Sequence, residues 1–190
     1  GPLAGVCDMR SLVIIDYGSG NLHSVQQSVS RVANEQSQEW QVTTTSDPKD
    51  ILNADKIILP GVGHFADCKH NLGKIQDMEK ALETRVQNFA IPFLGICVGM
   101  QLLARCGREY RNTASIGWVD GEVIPINPSD AALKVPDMGW NNLKLDTSHP
   151  VFDGINSGDH VYFVHSYHFK VANPSMRLAH VNYGGDVTAV

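Results

Sequence analysis

The stretch Pro92-Phe93-Leu94-Gly95-Ile96-Cys97-Val98-Gly99-Met100-Gln101 constrains this chain more than any other. The apolar run Ile91 to Ile96 reads as a short buried strand, and it stops at a cysteine with glycines at 95 and 99. Met100-Gln101-Leu102-Leu103-Ala104 follow, all good helix formers. Strand, Gly-x-Cys-x-Gly and helix together make a nucleophile elbow. The glycines permit a tight turn that lifts the side chain clear of the sheet, and a helix N-terminus favours thiolate. The alternative for Cys97 is the ordinary fate of a free cysteine, a buried structural thiol.

Around this strand the chain alternates between strands and helices. Leu12 to Asp16 is a short apolar strand running into the Gly-rich turn Asp16-Tyr17-Gly18-Ser19-Gly20-Asn21, and a helical pattern covers about Leu22 to Asn34. A third glycine at dinucleotide-fingerprint spacing is missing, so a phosphate cradle is disfavoured and Tyr17 and Asn21 read as a polar loop. Trp40 to Thr45 is a second strand, and Ser46-Asp47-Pro48 opens a short helix. Lys56-Ile57-Ile58-Leu59 is a third strand, entering Pro60-Gly61-Val62-Gly63-His64-Phe65. Two glycines so placed either expose backbone N–H groups for an oxyanion or carboxylate, or simply make a turn. Helical sequence fills roughly Ile75 to Asn88.

The expected fold class is α/β: a central, mostly parallel sheet flanked by helices, flavodoxin-like, with additional antiparallel strands in the C-terminal half. Ligands of such sheets sit at the carboxyl ends of the strands. The Tyr17–Asn21 loop, the Gly61–Gly63 loop and Cys97 should therefore collect at one edge. Past about Gly107 the β-like runs are Trp118 to Pro125, Asn142 to Leu145, Val161 to Val164, Phe169 to Ala172 and Leu178 to Val181, the last joined to Val187–Val190 as a hairpin.

Composition narrows the function classes. The 190 residues carry 15 Lys and Arg against 20 Asp and Glu, a net charge of -5 with no basic run, which argues against nucleic-acid or membrane-surface binding. No apolar stretch approaches a membrane span. Four scattered cysteines (7, 68, 97 and 106) form no C-x-x-C pair, so a reducing, cytoplasmic setting is expected, with no metal and no cofactor. Residues 1–8 read as vector-derived, and residues 9–190 as a single domain without internal repeats.

The elbow Gly95-Ile96-Cys97-Val98-Gly99-Met100-Gln101 resembles that of the class I (triad) glutamine amidotransferases. Asp16-Tyr17-Gly18-Ser19-Gly20-Asn21-Leu22, Pro60-Gly61-Val62-Gly63, Val135-Pro136-Asp137-Met138-Gly139-Trp140-Asn141 and Tyr162-Phe163-Val164-His165-Ser166-Tyr167 narrow the resemblance. They are similar to the branch formed by the glutaminase subunits of imidazole glycerol phosphate synthases. The resemblance implies glutamine hydrolysis through a thioester on Cys97, with an oxyanion hole from Val98 and Gly61, Val62 and Gly63. It implies glutamine-holding roles for Gln101, Tyr162, Ser166 and Tyr167. It further implies a heterodimer with a (β/α)8-barrel synthase subunit docked at Asn21, Met138, Gly139, Trp140 and Asn141, where ammonia is consumed.

The family's catalytic His and Glu lie in a His-Pro-Glu near the C-terminus. None of the eight histidines here has an acid two residues on, and the sequence stops within the expected last hairpin. The expectation is thus a chain lacking its C-terminal end, with one triad member of three and little activity alone. Asp137, where the branch has His, is expected to face the partner. His165 reads as interface or support rather than base. Three other readings stay open: a glutaminase serving another acceptor such as a surface-sugar pathway, a non-catalytic partner-binding module, and a cysteine hydrolase of other amides or peptides.

Overall fold

Four short apolar strands assemble as the alternation requires. In the computed structural model, which describes residues 9–190, they are β1 (Arg10–Ile15), β2 (Trp40–Thr45), β3 (Lys56–Leu59) and β4 (Phe93–Gly95). They pair in parallel in the order β2-β1-β3-β4, with Ile14 beside Ile58 and Ile58 beside Leu94. Val13, Ile14 and Ile15 are all buried although neighbours point to opposite faces, as in a parallel sheet covered on both sides.

The helices are α1 (Leu22–Asn34), α2 (Pro48–Leu52), α3 (Phe65–Lys74), α4 (Met78–Leu82) and α5 (Val98–Gln101). Asn21 caps α1 by accepting from the Ser24 N–H, and Asp47 caps α2 with Pro48 in its first turn. The helix expected over 75–88 starts only after Asp77, whose φ is 64°, and its second half, Glu83–Asn88, is π-helical. The expectation also missed α3, which buries Phe65, Cys68 and Leu72 at spacings of three and four.

Two units divide the chain, Gly1–Met100 and Gln101–Val190. The second unit is built of small, mainly antiparallel sheets. Strands β5 (Cys106–Gly107), β6 (Thr113–Ala114), β7 (Gly121–Pro125) and β11 (Tyr167–Val171) form one, in the order β11-β7-β5-β6. Strands β9 (Lys144–Leu145), β12 (Ala179–Asn182) and β13 (Asp186–Thr188) form another, its hairpin pairing Val181 with Val187. Strands β8 (Asp137–Asn142) and β10 (His160–His165) make a two-stranded ribbon. Met138 to Asn141, outside the strands expected from the sequence, thus lie in a strand. A sequence with Gly139 and two asparagines has little strand propensity of its own and is held extended by pairing with β10. Behind the strands, Leu143, Phe152, Ala179, Val181 and Val187 form a buried cluster against which Phe163 packs. Among the described residues, no helix is long and apolar enough to cross a membrane.

Asp146 ties this half together. Its carboxylate accepts from Arg177 Nε at 2.9 Å and lies 2.8 Å from His180 Nδ1. Burial opposes its ionisation, but the His180 and Arg177 contacts outweigh burial and hold its pKa below the ordinary carboxylate value. A depressed carboxyl pKa stabilises the fold above the unfolded value near 4, and that stability is lost as pH falls through the folded value. Asp146→Asn should lower urea stability at neutral pH and make little difference near pH 2, as measured by paired denaturation curves.

The elbow itself sets the second stability test. A Cβ on Gly99 would fall inside contact distance of the Leu59 carbonyl oxygen. Gly99→Ala should therefore destabilise the first unit by about 3 kcal/mol in equilibrium unfolding.

Candidate active site

A polar site at the carboxyl edge of the parallel sheet follows from its winding. The chain goes from β1 to one side for β2 and to the other for β3 and β4, so the loops after β1 and β3 diverge from a topological switch point. These loops meet directly: the Tyr17 hydroxyl donates to the Pro60 carbonyl at 2.6 Å. Tyr17 is therefore buried and not part of a polar loop as expected. Its phenol, pushed above its ordinary pKa mainly by burial, stays protonated.

Cys97 stands two residues beyond β4. Its φ is +58°, a left-handed conformation costly for a residue with a Cβ, and its side chain is exposed. The surrounding hydrogen bonds over-determine that turn. Ile96 N–H donates to Leu59 O at 2.9 Å, Gly99 N–H to Ile96 O at 3.0 Å and Met100 N–H to Cys97 O at 3.1 Å. The alternative of a buried structural cysteine is thereby set aside. A strained, exposed thiol at a strand-to-helix turn can act as a nucleophile.

The N–H groups nearby are disposed differently from the sequence expectation. Helix α5 is a single turn, not the longer helix expected, because the chain leaves helical geometry after Gln101. Val98 N–H does not stand open to an oxyanion; it donates to Gly61 O at 3.1 Å. Gly61 is packed so closely that a Cβ there would lie 2.6 Å from the Tyr17 hydroxyl and 2.7 Å from Gly99 N. Val62 and Gly63 are exposed. The Cys68 thiol, on α3, donates to the Val62 carbonyl at 3.2 Å. Its pKa is raised, chiefly by burial. Cys68 is not marked as a site residue by any sequence motif, although the 65/68/72 spacing signals the buried helix face that carries it.

In the second unit the predicted residues fall into two groups. Gln101 Nε2 donates to the Tyr167 carbonyl at 3.5 Å, and the Ser166 carbonyl accepts from Ile126 N–H at 2.8 Å. Tyr162 lies apart from them, directly opposite Trp140 across the ribbon, with ring centroids 5.5 Å apart and an edge-on angle of 74°. Met138 faces Val164 in the same way. These four side chains share one ribbon face and are 51–70% exposed. Gly139 and Asn141 alternate to the inner face, where Asn141 Nδ2 donates to Asn182 O at 2.9 Å. Asn21 is exposed at the start of α1.

Asp137 departs from expectation. It is only 4% exposed, and its Oδ2 lies 3.1 Å from His165 Nε2, directly across the ribbon. The inner face of β8 accounts for this, since a buried carboxylate requires a hydrogen-bonding partner and the register supplies one. Asp137 is therefore held internally against His165 instead of presenting the exposed charge expected of it. His165 is the partner of that carboxylate across the ribbon. Among the described residues, no group of three or more His, Cys, Asp or Glu is arranged to hold a metal ion.

Comparison with known proteins accords with this geometry. The family model of class-I glutamine amidotransferases matches residues 13–190. The imidazole glycerol phosphate synthase subunit HisH of Ruegeria pomeroyi is 54% identical over 177 residues, which cover 93% of this chain and 83% of that one. HisH of Cereibacter sphaeroides is 51% identical, covering 94% and 84%. A crystal structure of a glutamine amidotransferase superposes with a TM-score of 0.64 at 15% identity, covering 88% of this chain and 79% of the other, a likeness of fold. With half its residues shared over nearly its whole length, the chain belongs to the HisH branch of the class-I glutamine amidotransferases.

Proposed function

We propose that this chain is the glutaminase subunit of an imidazole glycerol phosphate synthase, releasing ammonia from glutamine at Cys97 for histidine biosynthesis. The observation that carries the reading is the exposed thiol held at φ +58°. In the proposed reaction the Cys97 thiolate attacks the side-chain amide carbon, and the carbonyl oxygen becomes an oxyanion. Its donors are the N–H of Val98 and the backbone of Gly61, Val62 and Gly63. The tetrahedral adduct collapses to a thioester as an imidazole protonates the departing ammonia. Water, deprotonated by the same imidazole, then releases glutamate. No histidine in the 190 residues stands in the family's His-Pro-Glu, and we assign that role to none of them.

Gln101, Ser166 and Tyr167 are proposed to hold glutamine, while Tyr162, which lies apart from them against Trp140, is proposed to serve the partner-facing ribbon instead. Because Val98 N–H is bonded to Gly61 O, oxyanion stabilisation requires that bond to open first. The state described is thus a resting one, and acceptor binding on the partner is the proposed trigger.

The proposed partner is a (β/α)8-barrel synthase subunit in a cytoplasmic heterodimer. It combines the ammonia with a ribulosyl-aminoimidazole substrate to give imidazole glycerol phosphate and an aminoimidazole carboxamide ribotide. Residues 9–190 act as one amidotransferase domain in this reading. The exposed face of Met138, Trp140, Tyr162 and Val164 supports docking, since an apolar cluster centred on a tryptophan has the composition of an interface hot spot. Gly139 and Asn141 are proposed to lie beneath that contact, and Asn21, in the first unit, to make a partner contact of its own.

Cys97→Ser, assayed in the complex by glutamate release, should lower kcat/KM by about a thousandfold or more. Retention of a tenth of wild-type activity would overturn Cys97 as nucleophile. Trp140→Ala should weaken association with the barrel by about 2 kcal/mol, roughly thirtyfold in Kd by calorimetry. It should leave the labelling of Cys97 by a γ-diazoketone analogue of glutamine intact.

A further inference from the structure

Three consecutive carbonyls after β3 are each held by a different donor. Pro60 O accepts the Tyr17 hydroxyl at 2.6 Å, Gly61 O accepts Val98 N–H at 3.1 Å, and Val62 O accepts the Cys68 thiol at 3.2 Å. The outer two donors are side chains with no part in the hydrolysis just described. The middle donor is the amide that the oxyanion needs. We propose that Tyr17 and Cys68 are positioning residues of the oxyanion loop. They clamp the Pro60 and Val62 carbonyls, keep Gly61 O on Val98 N–H in the resting subunit, and confine its release to rotation of the single Gly61–Val62 peptide. The catalytic meaning of the clamp rests on the glutaminase reading.

Geometry supports a clamp that is stiff at its ends and free in its middle. A peptide plane turns by opposed rotations of the two torsions flanking it, leaving the neighbouring carbonyls where they are. The Tyr17 hydroxyl approaches Gly61 too closely for any side chain there, so the fixed end abuts the residue that must move. The two arms are joined, because Asn71 Nδ2 on α3 donates to Ser19 Oγ in the loop that carries Tyr17, at 3.3 Å. Both donors persist at physiological pH, since burial raises the pKa of the phenol and of the thiol. The clamp is therefore not a pH device; it sets how readily one hydrogen bond opens.

The test is amide hydrogen exchange at Val98, read by NMR, in Tyr17→Phe, Cys68→Ala and Cys68→Ser. Each of the first two removes one donor from a loop held by three, and each should speed Val98 exchange about fivefold while the β3 amides keep their protection. Cys68→Ser keeps a donor and should stay within about twofold of wild type. In the complex with the synthase subunit, the exchange-prone variants should show a several-fold higher kcat without bound acceptor, an unchanged glutamine KM and a smaller stimulation by acceptor. Unchanged Val98 exchange in both variants would overturn the clamp. So would a serine variant that behaves like alanine, or faster exchange with no gain in kcat. Should Tyr17→Phe lose β3 protection, the Cys68 pair decides alone. Exchange needs no turnover, so failure of the glutaminase reading shows separately, as hydrolysis that survives Cys97→Ser.

Discussion

Everything at the carboxyl edge of the parallel sheet depends on the backbone at Cys97 turning left-handed while Leu59 blocks any other course. The Leu59 carbonyl accepts Ile96 N–H, and Gly99 packs against that same oxygen so closely that no side chain fits. Strand β4 is thereby bolted to the end of β3, and the thiol is forced outward in a conformation the chain would not adopt unaided. The next amide, Val98, reaches back to Gly61, so the Cys97 turn and the loop beside it are tied together. A strained residue persists only where its surroundings over-determine it, and here four backbone hydrogen bonds do so.

This arrangement places reactivity and restraint in the same few residues. The thiol is exposed and ready, while the amide expected to stabilise the adduct is occupied by a carbonyl one loop away. Stabilisation of an oxyanion depends on donors fixed in advance, and a donor already spent contributes nothing until it is released. A single neutral hydrogen bond of this kind contributes only about 1 kcal/mol net, so the proposed release of Val98 is within reach of a binding event elsewhere.

The parallel sheet and the elbow were legible in the sequence because both are written locally, in runs of apolar residues and in glycine spacing. The convergence of the loops after β1 and β3 followed from sheet topology, and the Tyr17–Pro60 bond bears it out. What remained hidden depended on partners distant in sequence. Helix α3 was lost behind glycine and histidine in a short segment. Strand β8 has an unpromising composition and exists through its pairing with β10. Asp137 read as a surface charge because nothing near it in sequence says that His165, 28 residues on, stands opposite. The engagement of Val98 with Gly61 lay equally out of reach, for no residue type records which way a peptide plane points.

The β8–β10 ribbon turns Phe163 and the Asp137–His165 pair inward and leaves two aromatic and two aliphatic side chains bare on the other side. A two-stranded ribbon also has unpaired backbone groups along its edges. An unassembled chain therefore carries both a sticky face and a template for strand addition, so that collision with a second copy would compete with the docking proposed for this face. The unwanted reaction grows with the square of the free-chain concentration, the wanted one only in proportion to it. Gene dosage thus becomes a structural variable: a cell that makes the two subunits in step keeps the free pool small, and one that overproduces this chain alone drives it toward aggregation.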